Sequence, residues 1–275
     1  MDEAALRADM IEGLEHQIGE PLGASVLTAL QRVPREAFVD DAPHANRASD
    51  EGGTRALAPA TVARMLTALN VDEGDDVLVV GAGIGYTAAT LAEIAGARHV
   101  HAIDIDRGAV HLARSNLSAA GYDAVLVDRR DGARGLPEYA PYDRILLEAA
   151  VVEPPRALRD QLADGGRLVY PRGTTVQTLV AIEPVADGVA SEADRTEADR
   201  TDATAPDPTV DRPDAPAGFH TVETAGPARL RPMLVDGEQP GVERNRTRRE
   251  DAERAAQGSA GHGWEQEWID WEGRL

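Results

Sequence analysis

The chain has 275 residues, with 48 Asp plus Glu against 28 Lys plus Arg and a formal net charge of −20. Every one of those 28 basic positions is arginine, and cysteine is absent, which excludes disulfides, thiolate nucleophiles and zinc–thiolate sites. So acidic a chain disfavours unaided nucleic-acid binding, which needs a positive face for phosphates. No apolar run approaches the roughly 20 residues of a membrane helix. The start, Met1-Asp2-Glu3-Ala4, has neither the basic residues nor the apolar core of a signal peptide, so a cytoplasmic protein is expected. The density of carboxylates reads as halophilic adaptation, since such a surface stays hydrated in concentrated salt; codon bias in a GC-rich genome is the rival explanation.

Residues 1–40 read as helical: Leu6, Met10, Ile11 and Leu14 recur at helical spacing, as do Val26, Leu27, Leu30 and Val33, until Pro34 breaks the pattern. Residues 41–59, rich in Asp, Gly, Asn and Ser, read as a loop. Thr61 to Leu69 is a short helix. Val77 to Val80 is an apolar run ending in glycines, the signature of a parallel strand buried on both faces. Strands at 100–105, 124–127, 145–147 and 167–170 then alternate with helices at 86–94, 107–120 and 156–162. This order predicts an α/β fold, a doubly wound, mostly parallel sheet with helices on both faces. Gln177 to Pro184 adds an antiparallel strand, and Phe219 to Val222 and Leu230 to Val235 read as the last strands.

Three regions follow: a helical segment and substrate-side loop over 1–70, a Rossmann-like domain over 71–235, and a charged extension over 236–275. Within the second, residues 186–218 carry a near repeat, Glu192-Ala193-Asp194-Arg195-Thr196 and Glu197-Ala198-Asp199-Arg200-Thr201. With so few apolar residues this stretch reads as a disordered insertion. In the extension, Trp264, Trp268 and Trp271 share one helix face that suits docking on the domain or on a second subunit.

The chemistry-bearing pattern is Gly81-Ala82-Gly83-Ile84-Gly85-Tyr86, set between a strand and a helix. Backbone amides at such a helix start can approach a ligand closely. The spacing is GxGxG; a dinucleotide fingerprint would need glycine where Tyr86 stands. Asp104 ends the second strand, where a carboxylate can accept bonds from both ribose hydroxyls, with Ile105 beside it. Asp131-Gly132 follows the third strand, where an acid and a free amide can read an adenine edge. Asp131-Gly132 alone is more often only a turn. The three pieces together, at the carboxyl ends of successive strands, point to S-adenosyl-L-methionine rather than NAD. The expected cofactor-binding set is therefore Gly81, Ala82, Gly83, Gly85, Asp104, Ile105, Asp131 and Gly132. No metal site is expected.

Several segments add to these. They are Val33-Pro34-Arg35-Glu36-Ala37-Phe38-Val39, Gly135 after Asp131-Gly132, and Ala140-Pro141-Tyr142-Asp143-Arg144-Ile145. Gln161-Leu162, Gly165-Gly166-Arg167-Leu168-Val169 and Pro171 complete the set. On these segments the chain resembles the protein-L-isoaspartate O-methyltransferase family from about residue 25 to 185. The resemblance implies a Rossmann-like S-adenosylmethionine-dependent methyltransferase, a repair enzyme whose partner is a protein or peptide with isoaspartyl residues. It also implies that the glycines line the methionine and ribose region, Asp104 the ribose, and Asp131 with Gly132 the adenine.

The chain departs from the family pattern on the substrate side. Where the family carries G-Q-T-I-S-x-P, this sequence has Gly53-Thr54-Arg55-Ala56-Leu57-Ala58-Pro59, with Leu57 in the place of the Ser. Val79 replaces an acidic residue of the first strand. Glu148 ends the fourth strand, where the family has a small or hydroxyl residue. Thr54 and Glu148 are the candidate catalytic residues of an altered substrate site. A different methyl acceptor, or a non-catalytic binding module, stays open on this evidence, as does the oligomeric state.

Overall fold

The computed structural model describes residues 3–19, 21–185 and 215–237. The Trp-bearing face expected over 264–271, and all but the last four residues of the expected 186–218 insertion, lie outside them. The amino-terminal region folds as α1 (Glu3–Ile18) and α2 (Ala24–Arg32), followed by one 3-10 turn at Arg35–Ala37. The helical pattern stops there because Pro34 forces extended backbone on Val33 (φ −74°, ψ 117°).

The stretch 41–59, expected as a loop, contains a hairpin: β1 (Ser49–Glu51) pairs antiparallel with β2 (Thr54–Ala56). Gly52 (φ +59°) and Gly53 (φ +88°) form its two-residue turn, and only glycine takes two successive positive φ angles without strain. Three-residue polar strands leave no alternation to read, so this Gly-Gly pair was their sole sequence signal. Next, α3 (Pro59–Leu69) starts with Pro at its first turn and ends at Asn70 in left-handed conformation (φ 51°).

The remaining elements are β3 (Val77–Val80), α4 (Tyr86–Ala95), β4 (Val100–Asp104), α5 (Arg107–Ala119), β5 (Leu126–Arg129), β6 (Tyr142–Leu147), α6 (Arg156–Arg159), β7 (Leu162–Arg172), β8 (Gln177–Pro184) and β9 (Phe219–Ala228). They form one seven-stranded sheet in the order β5-β4-β3-β6-β7-β8-β9. The first five strands are parallel, and β8 and β9 run antiparallel to their neighbours. The doubly wound sheet expected from strand–helix alternation is the one formed. On β3, Val77 and Val79 face a core shared with Leu14, Leu30 and Leu66, and Leu78 and Val80 face a second core around Tyr142, Leu158 and Met233. Burial on both faces explains an unbroken apolar run.

Several boundaries differ from the sequence reading: β6, β7 and β9 are longer than expected. The third strand begins at Leu126, two residues later than expected, and α6 ends at Arg159 because Leu162 already opens the long β7. Leu230 to Val235 is no strand. Pro232 has no N–H for a ladder, and the segment contributes a single bridge, to Ala150.

Candidate functional site

At the carboxyl end of the sheet, β3 and β6 lie side by side while the chain leaves them in opposite directions. Such a switch point is where open α/β sheets form a ligand crevice. Here a cleft of about 720 Å³ opens, within the range of a small-molecule site. Gly81, Gly83, Asp104, Ile105, Gly132, Glu148 and Thr54 all border it. The sequence thus anticipated seven residues that converge from five separate segments.

The glycine loop is tied to the neighbouring strand. The Gly81 and Ala82 amides donate to the Ile103 carbonyl at 2.8 and 3.0 Å. Gly81 sits at φ +102°, and a Cβ there would lie 3.2 Å from the Glu148 Cβ. Asp104 is half-buried; its Oδ2 accepts from the Gly83 amide (3.1 Å) and its Oδ1 from the Asp106 amide (2.9 Å). Burial pushes its pKa up, against those two amides. Each oxygen keeps a second lone pair that can face a ligand. Ala82 and Gly85 do not border the cleft. Ala82 faces a small inner cavity, and a Cβ on Gly85 would meet the Ala113 carbonyl and Leu117 at 3.2 Å, so Gly85 serves the packing of α4 on α5.

Asp131 and Gly132 separate. Gly132 borders the main cleft, and a Cβ on it would fall 2.5 Å from Val80 Cγ1 and 2.9 Å from Met233 Cε. Asp131 instead borders an adjoining cavity of about 320 Å³ together with Arg129, Arg130 and Arg134. Its Oδ1 caps the following turn through the Ala133 amide (2.9 Å), and its Oδ2 accepts from the Asp236 amide (3.3 Å).

Glu148 closes the inner end of the cleft. Its Oε1 is sealed from solvent without a hydrogen-bond partner. Burial raises its pKa to about 7; Thr87 opposes the shift and the Asp104 charge adds to it. Behind Glu148 a small cavity is lined by Arg35, Leu57, Tyr86 and Thr87. Arg35 is fully buried, its guanidinium 4.6 Å from the centre of the Tyr86 ring. Its Nε donates to the Pro43 carbonyl (2.9 Å) and its Nη2 to the Leu57 carbonyl (2.6 Å). Leu57 itself borders both the main cleft and this inner cavity.

The roof of the cleft escaped the sequence reading. Residues Leu230 to Met233 cross above the site, with Leu234, Asp236 and Gly237 continuing its rim. Gln177 pins this roof through both backbone groups of one residue: its Nε2 donates to the Leu230 carbonyl (2.9 Å) and its Oε1 accepts from the Leu230 amide (2.7 Å). Ala150 adds two backbone bonds, with Arg231 and Met233. The only local clue was Asp236-Gly237, a turn pair just past the expected strand.

The remaining motif segments build a brace rather than the cleft. The Gln161 side chain bonds the Leu136 amide (2.9 Å) and the Arg134 carbonyl (2.8 Å), and the Tyr142 hydroxyl donates to the Leu136 carbonyl (2.8 Å). Asp143 clamps the start of β3, its Oδ2 accepting from the Asp76 amide at 2.9 Å. Segments far apart in sequence thus hold each other and, through them, the loop that bears Asp131 and Gly132.

Comparison with known proteins bears on the family and the fold. Residues 7–199 match the family model described as protein-L-isoaspartate(D-aspartate) O-methyltransferase. A protein-L-isoaspartate O-methyltransferase of Methanocella arvoryzae is 43% identical over 160 residues, which cover 56% of this chain and 85% of that protein. One from Aeropyrum pernix is 42% identical over 199 residues, covering 69% and 75%. A solved protein-L-isoaspartate O-methyltransferase superposes with a TM-score of 0.57 at 25% identity, covering 64% of this chain and 59% of that one. A Plasmodium falciparum structure, described as a candidate member of the same family in complex with S-adenosyl-L-homocysteine, gives a TM-score of 0.62 at 17% identity and shares the fold over 82% of this chain. The chain belongs to the protein-L-isoaspartate(D-aspartate) O-methyltransferase family.

Proposed function

We propose that this protein methylates the free carboxylate of isoaspartyl residues in damaged proteins, using S-adenosyl-L-methionine. The observation that carries the reading is the convergence of Gly81, Gly83, Asp104 and Gly132 on one cleft at the β3–β6 switch point. When bound, S-adenosylmethionine supplies an electrophilic methyl group on a sulfonium. The residues present fit it: a Cβ on Gly81 or Gly132 would crowd Glu148 or Val80, so both positions stay bare backbone on the wall of the cleft, where their peptide groups could approach a ligand.

In this reading the remaining lone pairs of Asp104 would accept hydrogen bonds from the ribose hydroxyls, and the Gly132 amide would meet the adenine edge with Ile105 beside it. Asp131 acts through its cap of the turn that presents Gly132, and Ala82 and Gly85 shape the loop from behind. Thr54, at the mouth, orients the acceptor. The acceptor carboxylate is already ionised near neutrality and needs no general base; the site has to orient it and strip its water. Glu148 would repel that carboxylate if ionised, but with a pKa of about 7 it holds a proton over part of the neutral range. We read the protein as cytoplasmic and salt-adapted; among the described residues no helix is long and apolar enough to cross a membrane.

The test is methyl transfer in molar KCl to an isoaspartyl peptide and to its normal aspartyl twin, alongside calorimetric titration with S-adenosylhomocysteine. Transfer to the isoaspartyl peptide alone is expected. Tight S-adenosylhomocysteine binding without transfer would favour a second reading, a different methyl acceptor, for which Leu57 and Glu148 in the cleft are the specific observations.

A further inference from the structure

Beside the cleft, on the outer side of the Arg55–Ala58 segment, runs a second groove of about 370 Å³. Its walls carry four arginines, Arg47, Arg55, Arg64 and Arg229, and no aspartate or glutamate borders it. In a chain of net charge −20 this is a local reversal of sign. Arg47 pairs with Asp41 at 2.5 Å. Arg64 makes one bond, from Nε to the Ala60 carbonyl of its own helix (3.4 Å). Among the described residues, Arg55, Arg64 and Arg229 have no carboxylate partner.

Both walls of the groove continue into the cleft. Arg55 and Leu57 border the two cavities, and Arg229 is followed directly by Leu230 and Arg231 of the roof. An extended segment lying in the groove therefore enters the mouth of the cleft between the same two stretches of chain. We propose that the groove binds the acidic flank of the acceptor polypeptide and so makes the enzyme prefer isoaspartyl sites neighboured by Asp or Glu. This rests on the function proposed above. Three guanidinium groups without a carboxylate partner among the described residues match one or two peptide carboxylates. A nucleic acid would instead need a broad positive face, and the cavity that adjoins the groove through Arg47 and Arg55 is bordered by Asp40, Asp41, Asp50 and Glu51.

The test compares three isoaspartyl peptides, flanked by two Glu, two Gln or two Arg, at the lowest salt at which the protein stays folded. Wild type and the double variant R64Q/R229Q are both assayed. Wild type should show a KM for the Glu-flanked peptide about fivefold below that for the Gln-flanked one, as two partly solvated charge pairs allow. In the double variant the ratio should fall to near one, with S-adenosylhomocysteine affinity retained as the sign of an intact fold. Equal KM values in wild type, or a preference that survives in the variant, would overturn the proposal. If no isoaspartyl peptide is methylated, the proposed function fails, and fluorescence anisotropy with a labelled Glu-rich peptide decides the groove alone. Binding lost in the variant supports it; equal binding by both proteins overturns it. A single-stranded oligonucleotide that displaces the peptide better than oligoglutamate does would reassign the groove to nucleic acid.

Discussion

The Nη2 of Arg35 donates to the Leu57 carbonyl across 2.6 Å, and thereby joins the amino-terminal motif to the wall of the cleft. The same guanidinium holds Pro43 through Nε and stacks on Tyr86, the first residue of α4. One buried side chain thus fixes the substrate-side loop against the glycine loop. Replacing Arg35 by Met keeps the bulk but leaves two carbonyls without a donor, at a cost of about 2–3 kcal/mol. Urea denaturation should show that loss. In kinetics, the KM for the acceptor should rise more than the dissociation constant of S-adenosylhomocysteine, because Leu57 sits on the acceptor side. Equal effects on both would argue against the clamp.

Gly132→Ala probes the floor. The new Cβ would lie 2.5 Å from Val80 Cγ1, on a central strand that cannot retreat, and 2.9 Å from the more pliable Met233 Cε. Overpacking of this kind costs about 1–3 kcal/mol. If the strain is relieved by pushing Gly132 toward the cleft, affinity for S-adenosylhomocysteine drops about tenfold or more, since each tenfold is about 1.4 kcal/mol. Calorimetry on the purified variant measures it; an unchanged affinity would show that Met233 takes up the strain instead.

Glu148→Gln makes a stability prediction with a definite sign. Burial raises the folded-state pKa of Glu148 to about 7, above the ordinary 4.5. Between those values the native state holds a proton that the unfolded chain has released, so stability falls as pH rises through this window. The penalty is absent below the lower value and complete above the upper one, on the order of 3 kcal/mol. Gln cannot ionise. The variant should therefore match wild type near pH 4 and exceed it near pH 8 in melting temperature. A constant difference across pH would contradict the burial of an ionisable group here.

Gln177→Leu tests the roof. It removes both bonds to the Leu230 backbone, leaving a buried amide and carbonyl unpaired at about 1–3 kcal/mol. The roof should loosen, and S-adenosylhomocysteine should dissociate several-fold faster in stopped-flow experiments.

Salt dependence follows from charge alone. With a net charge of −20, like-charge repulsion opposes the compact state, and added salt screens it. The melting temperature should rise between dilute buffer and molar KCl. A flat or falling trend would leave the arginine-only, acid-rich composition to codon bias.

The sheet and the glycine loop were legible in the residues alone. An unbroken apolar run such as Val77–Val80 has only one comfortable setting, a strand covered on both faces, and the glycines after it mark where backbone must come close to a neighbour. Asp104 and Glu148 were legible for a related reason: Asp104 ends β4, Glu148 directly follows the last residue of β6, and parallel strands deliver their carboxyl ends to one edge. The features that local pattern does not reveal are assembled across long separations. Asp131 and Gly132 are adjacent in sequence yet serve different cavities, because the Asp131 carboxylate is spent on the Ala133 and Asp236 amides. The Leu230–Met233 roof looks like a strand by composition. Pro232 and the Gln177 side chain, 53 residues from Leu230, turn it into a cover. Local patterns encode which face a residue buries; they carry no record of which distant backbone group its side chain will satisfy.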